Sequence, residues 1–355
     1  MSGGPSDSSS NCFSPPSKPY YKPPLPYIVG GSFTAKRHQP PAPFGGIYAG
    51  DGLPHIDLDP PPNQVDWCLS HPPEGGLTIS KDICHFNITG TLRTGLNCGA
   101  QILLTNEGVA KIFDPMYYRF HPRDFPEFTV DVTANAASDY SIEAAAYFET
   151  MGKKVQGSIM PKYHGSWTLE ITQHIRGLSV TREVRMILIE YVSGESMLDV
   201  DPDDLNQEER DNIMRKLIEA DYDLRLAGIH HHDLEPKNVI LSRPTTSNYA
   251  DPKMRLTLID FAISTVHRII WGGPFQFRLY NPCFYWAAAS WWSMCGWLPY
   301  RDQERIQWVW REWGDSKGGK YAKVERNPDN CLGFPRRPPI GNRQDQNKSE
   351  SSDSD

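Results

Sequence analysis

Two short acidic stretches and one lysine carry the chemistry in this sequence. In His231-His232-Asp233-Leu234-Glu235-Pro236-Lys237-Asn238 an asparagine stands five positions after an aspartate, and the apolar run Val239-Ile240-Leu241 follows at once. A second aspartate, Asp260, closes the apolar run Leu258-Ile259 and is followed by Phe261-Ala262. Upstream, Lys111 lies inside Val109-Ala110-Lys111-Ile112. Carboxylate and carboxamide oxygens are hard donors suited to divalent cations, a carboxylate beside a hydroxyl can accept its proton, and an ammonium group pairs with phosphate. Taken singly, each has a plainer reading: an aspartate after a strand is usually a cap or turn residue, and a lysine on a strand usually faces water. The triple His230-His231-His232 invites zinc, but no cysteine or second histidine pair stands at ligand spacing, so His231 reads as a core histidine bracing its loop.

The elements that must position these groups change character along the chain. Strands are predicted at 86–89, 100–104 and 109–113, the last two joined by the hairpin turn Thr105-Asn106-Glu107-Gly108. An alanine-rich helix is predicted over 141–151, then strands over 166–172 and 185–192 with Arg176-Gly177 turning between them. Beyond Gly194 helices take over. The run 206–226 places Ile213, Leu217, Ala220 and Leu224 on one face, with Asp203, Asp204 or Asn206 able to cap its start and Gly228 its end. Short strands are predicted at 239–241 and 256–259. The tryptophan-rich segment 283–298 reads as a buried helix, since serines and a glycine interrupt it and it falls short of the roughly 20 apolar residues of a membrane span.

Composition sets the outer limits. The chain has 355 residues, 39% of them hydrophobic, and its 31 prolines are unevenly spread. Residues 1–75, rich in Pro, Ser and Gly, and residues 328–355, ending in an acidic run, are expected to be disordered, because neither can bury enough apolar surface to offset the entropy of ordering. Removing residues 1–60 and those after Pro328 is therefore expected to leave a stable core. The net charge of −7 owes several units to the acidic tail, and no basic stripe suggests nucleic acid. No segment suggests a membrane partner. Seven scattered cysteines without a C-x-x-C pair, and no signal peptide, point to reduced thiols in the cytoplasm or nucleus.

In their order and spacing these segments resemble the protein-kinase-like family. The run from His231 through Asp233 to Asn238 matches the kinase catalytic loop, and Asp260-Phe261 stands where kinases carry Asp-Phe-Gly. Val109-Ala110-Lys111-Ile112 resembles the strand whose lysine holds the α- and β-phosphates, and Met186-Ile187-Leu188-Ile189-Glu190-Tyr191-Val192-Ser193-Gly194 resembles the strand and hinge that meet adenine. The resemblance covers about residues 85 to 300, and the loop text looks most like divergent kinase-like proteins of filamentous fungi. It implies an α+β, bilobal fold, with a strand-rich lobe over 76–192, a helical and shortened lobe over 193–327, and the two tails outside them. It implies ATP and Mg²⁺ as cofactors. Lys111 would contact the phosphates, paired with Glu143 or with its rival on the same helix, Glu149. Gly95 and Gly99 would cover the phosphates, and the backbone of Glu190 and Val192 would meet adenine, with Ile189 behind. Asp260 and Asn238 would hold the metal, and Asp233 would orient the acceptor hydroxyl and take its proton.

Four departures from the family bear on function. Gly95-Leu96-Asn97-Cys98-Gly99 offers two glycines where protein kinases usually have three. Glu235 stands two positions after Asp233, where protein kinases usually carry lysine; this reverses a charge beside the transferring phosphate unless Lys237 or another displaced basic residue compensates. Ala262 replaces a glycine and limits backbone freedom there. No Ala-Pro-Glu follows Asp260, and the segment before the acidic tail is short for a peptide-binding platform. The expected function is an ATP-dependent phosphotransferase acting on a hydroxyl acceptor, either a protein serine or threonine or a small molecule. The alternative is a nucleotide-binding pseudokinase that serves as an interaction module.

Overall fold

In a computed structural model of the chain, residues 22–49, 54–59, 61–272, 281–286, 289–314 and 319–322 are described. They form a mixed α/β structure with two compact units. The first comprises the described residues up to Asp199, with Asp223–Ser242 and Arg255–Pro274; the second comprises Val200–Tyr222, Arg243–Met254 and the described residues after 280. The segments around Asp233 and Asp260 therefore belong with the strand-rich unit, not beyond a boundary at 193. Hydrogen bonds tie them there: Leu258 N–H donates to the Ile159 carbonyl at 2.8 Å.

The first unit is built on six strands. β1 (Ser32–Gln39), the short helix α1 (Gln64–Ser70), β2 (Leu77–Arg93), β3 (Gln101–Thr105), β4 (Gly108–Phe113), α2 (Val132–Glu149), β5 (Tyr163–Ile175) and β6 (Leu178–Ile189) follow in chain order. The strands close into an antiparallel barrel in the order β1-β2-β3-β4-β6-β5. Leu103, Ala110, Ile112, Leu169, Val184 and Met186 are fully buried. The β3–β4 hairpin depends on Gly108, whose φ is 128°; a Cβ there would stand 2.3 Å from the Ile189 carbonyl oxygen. The predicted start of α2 is nine residues too late. Val132, Thr133, Asn135, Ser138 and Asp139 are β-branched or short and polar, hence weak helix formers among the three alanines of 132–140, but Asp131 caps the segment through the Thr133 and Ala134 amides, both 3.1 Å away, and Val132, Ala136 and Tyr140 are buried.

The largest correction concerns the start of the chain. Residues 1–21 and 323–355 lie outside the described residues, but the described residues between 22 and 75 do not form a disordered segment. β1 closes the barrel between β2 and β5. Tyr27 is buried and donates to Asp114 Oδ2 at 2.6 Å, on the carboxylate that Arg182 grips with two bonds of 2.7 Å. Gln64 of α1 donates to the carbonyls of Pro115 and Tyr118, each at 3.0 Å. Composition averages over such a segment. A few anchors (Tyr27, Ala35, Val65, Cys68) bury apolar surface, and strand pairing satisfies the backbone, so the prolines between them need only span.

Five short strands complete the unit: β7 (Glu195–Ser196), β8 (Ile229–His230), β9 (Val239–Ser242), β10 (Arg255–Leu258) and β11 (Thr265–Val266). They make a sheet in the order β10-β9-β7 and a β11-β8 pair.

The second unit is helical. It holds residues 207–222 of α3 (Gln207–Leu226), whose start is a reciprocal cap: Asn206 Oδ1 accepts the Glu209 amide at 3.0 Å, and Glu209 Oε2 accepts the Asn206 amide at 3.2 Å. The tryptophan-rich segment is not one helix. It forms Cys283–Trp286 and Ser290–Met294, broken at Ala289 (φ −77°, ψ 63°), with Trp286, Trp292 and Trp297 buried. The helix Asp302–Trp313 lies on α3 through Arg215 and Glu312 (2.8 Å) and through the Trp308 indole, which donates to Asp211 at 2.8 Å. Among the described residues no helix is long and apolar enough to cross a membrane.

Candidate functional site

Lys111, Glu143 and Asp260, distant in sequence, meet inside the first unit. β4 presents Lys111 to the interior at 4% exposure, and its Nζ lies 2.5 Å from Glu143 Oε2 and 2.6 Å from Asp260 Oδ1. Burial works against the ammonium charge, and the two carboxylates outweigh it, holding Lys111 above the usual lysine range. Burial likewise pushes Asp260 up, but Lys111 overrides it and brings the carboxyl down to about 2. Glu143 is fully buried, and desolvation leaves it above the usual carboxylate range despite the pull of Lys111. Glu149 takes no part; it pairs with Lys153 (3.1 Å) and Arg268 (3.0 Å).

Backbone geometry aims these groups. Asp260 has φ 66°, a left-handed conformation that an aspartate adopts at some strain. The strand before it is held by His231, whose Nε2 donates to the Ile259 carbonyl at 2.9 Å while Nδ1 accepts the Asp233 amide at 3.3 Å. That pattern defines the tautomer and makes one buried ring the brace for both acidic stretches. Phe261 is fully buried between His231 and Tyr147, with ring centroids at 4.8 and 5.5 Å. Asn238 is buried and donates through Nδ2 to the Asp233 carbonyl (2.8 Å) and to Asp233 Oδ2 (2.9 Å), which leaves its amide oxygen as the group able to take a cation.

The glycine loop and hinge are less open than the sequence suggested. Gly95 and Gly99 lie in the β2–β3 turn, but the Gly95 amide is engaged by Gln101 Oε1 at 2.8 Å, and Gln101 Nε2 returns to the Gly95 carbonyl at 3.1 Å. Gly99 faces open space, and with Asn97, Tyr118, Arg119 and Asp139 it borders a cavity of about 430 Å³. Lys22 tethers the loop by donating to Asn97 Oδ1 at 3.0 Å. At the end of β6 the Glu190 amide donates to the Lys162 carbonyl at 2.9 Å, and the Glu190 carboxylate accepts the Lys162 amide (2.9 Å) and lies 3.3 Å from Arg255. The Glu190 carbonyl and Val192 stand beyond the strand.

Sequence reasoning missed Gln101, Lys22 and Asp139. Asp139 sits one turn before Glu143 on α2, accepts the Tyr118 hydroxyl at 3.1 Å, and is pushed up to about 7 by burial. Its i, i+4 spacing from Glu143 was the available signal. Gln101 and Lys22 had none, because both act on backbone or amide groups brought near by folding.

No family model matches the chain. Over 148 residues, 41% of its length, the chain is 23% identical to a probable serine/threonine-protein kinase of Dictyostelium discoideum, and it spans 20% of that relative's length. Among solved structures it is similar to the bifunctional kinase-methyltransferase WbdD, at a TM-score of 0.30 and 15% identity, over 47% of this chain and 30% of that one. The sequence match relates this chain distantly to kinases.

Proposed function

We propose that the chain is a phosphotransferase of the bilobal, protein-kinase-like fold that binds Mg·ATP and passes the γ-phosphoryl group to a hydroxyl acceptor. One observation carries the reading: a single buried ammonium, Lys111, is shared between Glu143 and Asp260 at 2.5 and 2.6 Å. Such a cation can hold the α- and β-phosphates, with Glu143 fixing its position. The donor set suits magnesium. Asp260 keeps a quarter of its side-chain surface open while Oδ1 meets Lys111, and Asn238 retains its amide oxygen. Among the described residues no three His, Cys, Asp or Glu side chains gather as a metal site, so magnesium would draw its other ligands from phosphate and water, as it commonly does. The ion would neutralise charge on the phosphates. Asp233 would take the acceptor's proton as the acceptor oxygen bonds to phosphorus; the bond from phosphorus to the β-phosphate oxygen breaks, and ADP leaves with that electron pair. The hinge carbonyl of Glu190 and the Val192 amide would meet adenine.

A pseudokinase reading is favoured by one fact: the Gly95 amide is already engaged by Gln101, which weakens the cover over the phosphates. Melting curves with and without Mg²⁺ and ATP, followed by turnover on pooled small molecules and generic proteins, separate the two. A ligand at 100 times its Kd should stabilise the chain by about 2.7 kcal/mol. Stabilisation without turnover supports the pseudokinase, and a melting curve unmoved by Mg·ATP defeats both readings.

A further inference from the structure

Phosphoryl transfer spreads negative charge over three equatorial oxygens, and a site that stabilises it needs a cation there. Lys111 is already balanced by Glu143 and Asp260. A second ammonium stands at the other acidic stretch. Lys237 Nζ lies 3.2 Å from Asp233 Oδ2, 3.4 Å from Asp233 Oδ1 and 2.8 Å from Glu235 Oε2. The turn that carries it, Pro236–Asn238, is fixed at both sides: Pro236 and Asn238 are buried, the Asn238 amide donates to the Glu235 carbonyl at 2.9 Å, and the Asn238 side chain is bound to Asp233. Only the Lys237 side chain is free to swing, being 47% exposed. Ion pairs this open contribute little to stability, so the ammonium can leave them at small cost.

We propose that Lys237 is a catalytic residue whose ammonium moves from the Asp233–Glu235 pair onto the transferring phosphoryl oxygens, with Glu235 as its tether. The inference rests on the phosphotransferase reading above and deepens it. Lys237 forms no covalent bond and gives up no proton in the step. The acceptor oxygen bonds to phosphorus, the electron pair of the broken bond goes to ADP, and the acceptor proton goes to Asp233. The charge reversal at Glu235 is then compensated two residues later. Arg93, exposed at the end of β2 with its charge felt at Asp260, is the competing cation.

The test needs no acceptor. The full chain in Mg²⁺ is titrated with ADP and with the non-transferable β,γ-imido analogue of ATP. Wild type should bind the analogue more tightly than ADP. Lys237→Ala should bind ADP as wild type does and lose about tenfold in its preference for the analogue. Lys237→Arg should keep most of that preference, and an unchanged melting temperature without nucleotide would show both variants folded. If Lys237→Ala keeps the preference, or Arg93→Ala alone loses it, the assignment of Lys237 is wrong while the phosphotransferase reading stands. If wild type binds neither nucleotide, that reading fails and this inference with it.

Discussion

Trp67 donates its indole N–H to Asp131 Oδ1 at 2.9 Å, the same oxygen that accepts the Thr133 and Ala134 amides at the start of α2. One carboxylate thus joins α1 to the helix that carries Glu143. The neighbouring chain repeats the theme. Ile56 N–H donates to the Thr129 carbonyl at 2.7 Å, Asp131 N–H to the Pro54 carbonyl at 2.9 Å, and Ser138 Oγ to the Phe44 carbonyl at 2.8 Å. Tyr48 goes further and accepts the Val266 amide at 2.7 Å, in the stretch that follows Asp260. The early segment is part of the scaffold of the site.

Deleting residues 1–60 should therefore unfold or aggregate the protein, since it removes β1 and leaves β2 and β5 as open edges. Deleting residues 1–21 keeps every contact described above and should leave the melting temperature within a few degrees. Trp67→Phe, which loses the shared cap bond but keeps most of the ring, should cost about 1 kcal/mol in denaturant unfolding. A 1–60 deletion that melts like wild type would show that the barrel closes without β1.

Lys111→Met leaves the buried Glu143 carboxylate without its cation, beside the partly exposed Asp260, and removing one partner of a buried ion pair typically costs about 3–5 kcal/mol. Nucleotide binding should fall with it. Glu149→Gln, by contrast, breaks only partly exposed pairs with Lys153 and Arg268, and should change stability by less than about 1 kcal/mol and leave nucleotide binding alone. Equal effects from the two would mean that Glu149 can replace Glu143.

The two aspartates should separate by what they lose. Asp260→Asn should weaken the dependence of nucleotide binding on Mg²⁺, whereas Asp233→Asn should leave Mg·ATP binding nearly intact and abolish transfer, because its contribution arises with the moving proton. If both variants lose nucleotide equally, the roles are assigned wrongly.

Acidity gives a further check, with opposite signs at two carboxylates. Asp260 is held down to about 2, so its stabilisation is complete above the ordinary carboxylate pKa and is lost as pH falls toward 2. Asp139 is raised to about 7, so the native state holds a proton that the unfolded chain has released, and stability declines as pH rises from about 4 to 7. Asp139→Asn still accepts the Tyr118 hydroxyl and carries no charge. It should melt higher than wild type at pH 8, by more than at pH 5. No change in that difference with pH would place the Asp139 titration elsewhere.

The residue types and short-range patterns of this chain were legible from sequence. The hairpin around Thr105–Gly108, the α3 face of Ile213, Leu217, Ala220 and Leu224, and the two acidic stretches with Lys111 all depend on neighbours within a few positions, where periodicity and turn chemistry act. Tertiary structure decided the rest. It selected Glu143 over Glu149, because α2 packs with its Glu143 side toward β4, and both glutamates have the same local credentials. It engaged the Gly95 amide with Gln101, and it ordered a proline-rich beginning by supplying the strand edges and buried surface that this segment lacks by itself. Each of these outcomes depends on contacts between residues far apart in the chain, and no local pattern encodes which distant partner a group will meet.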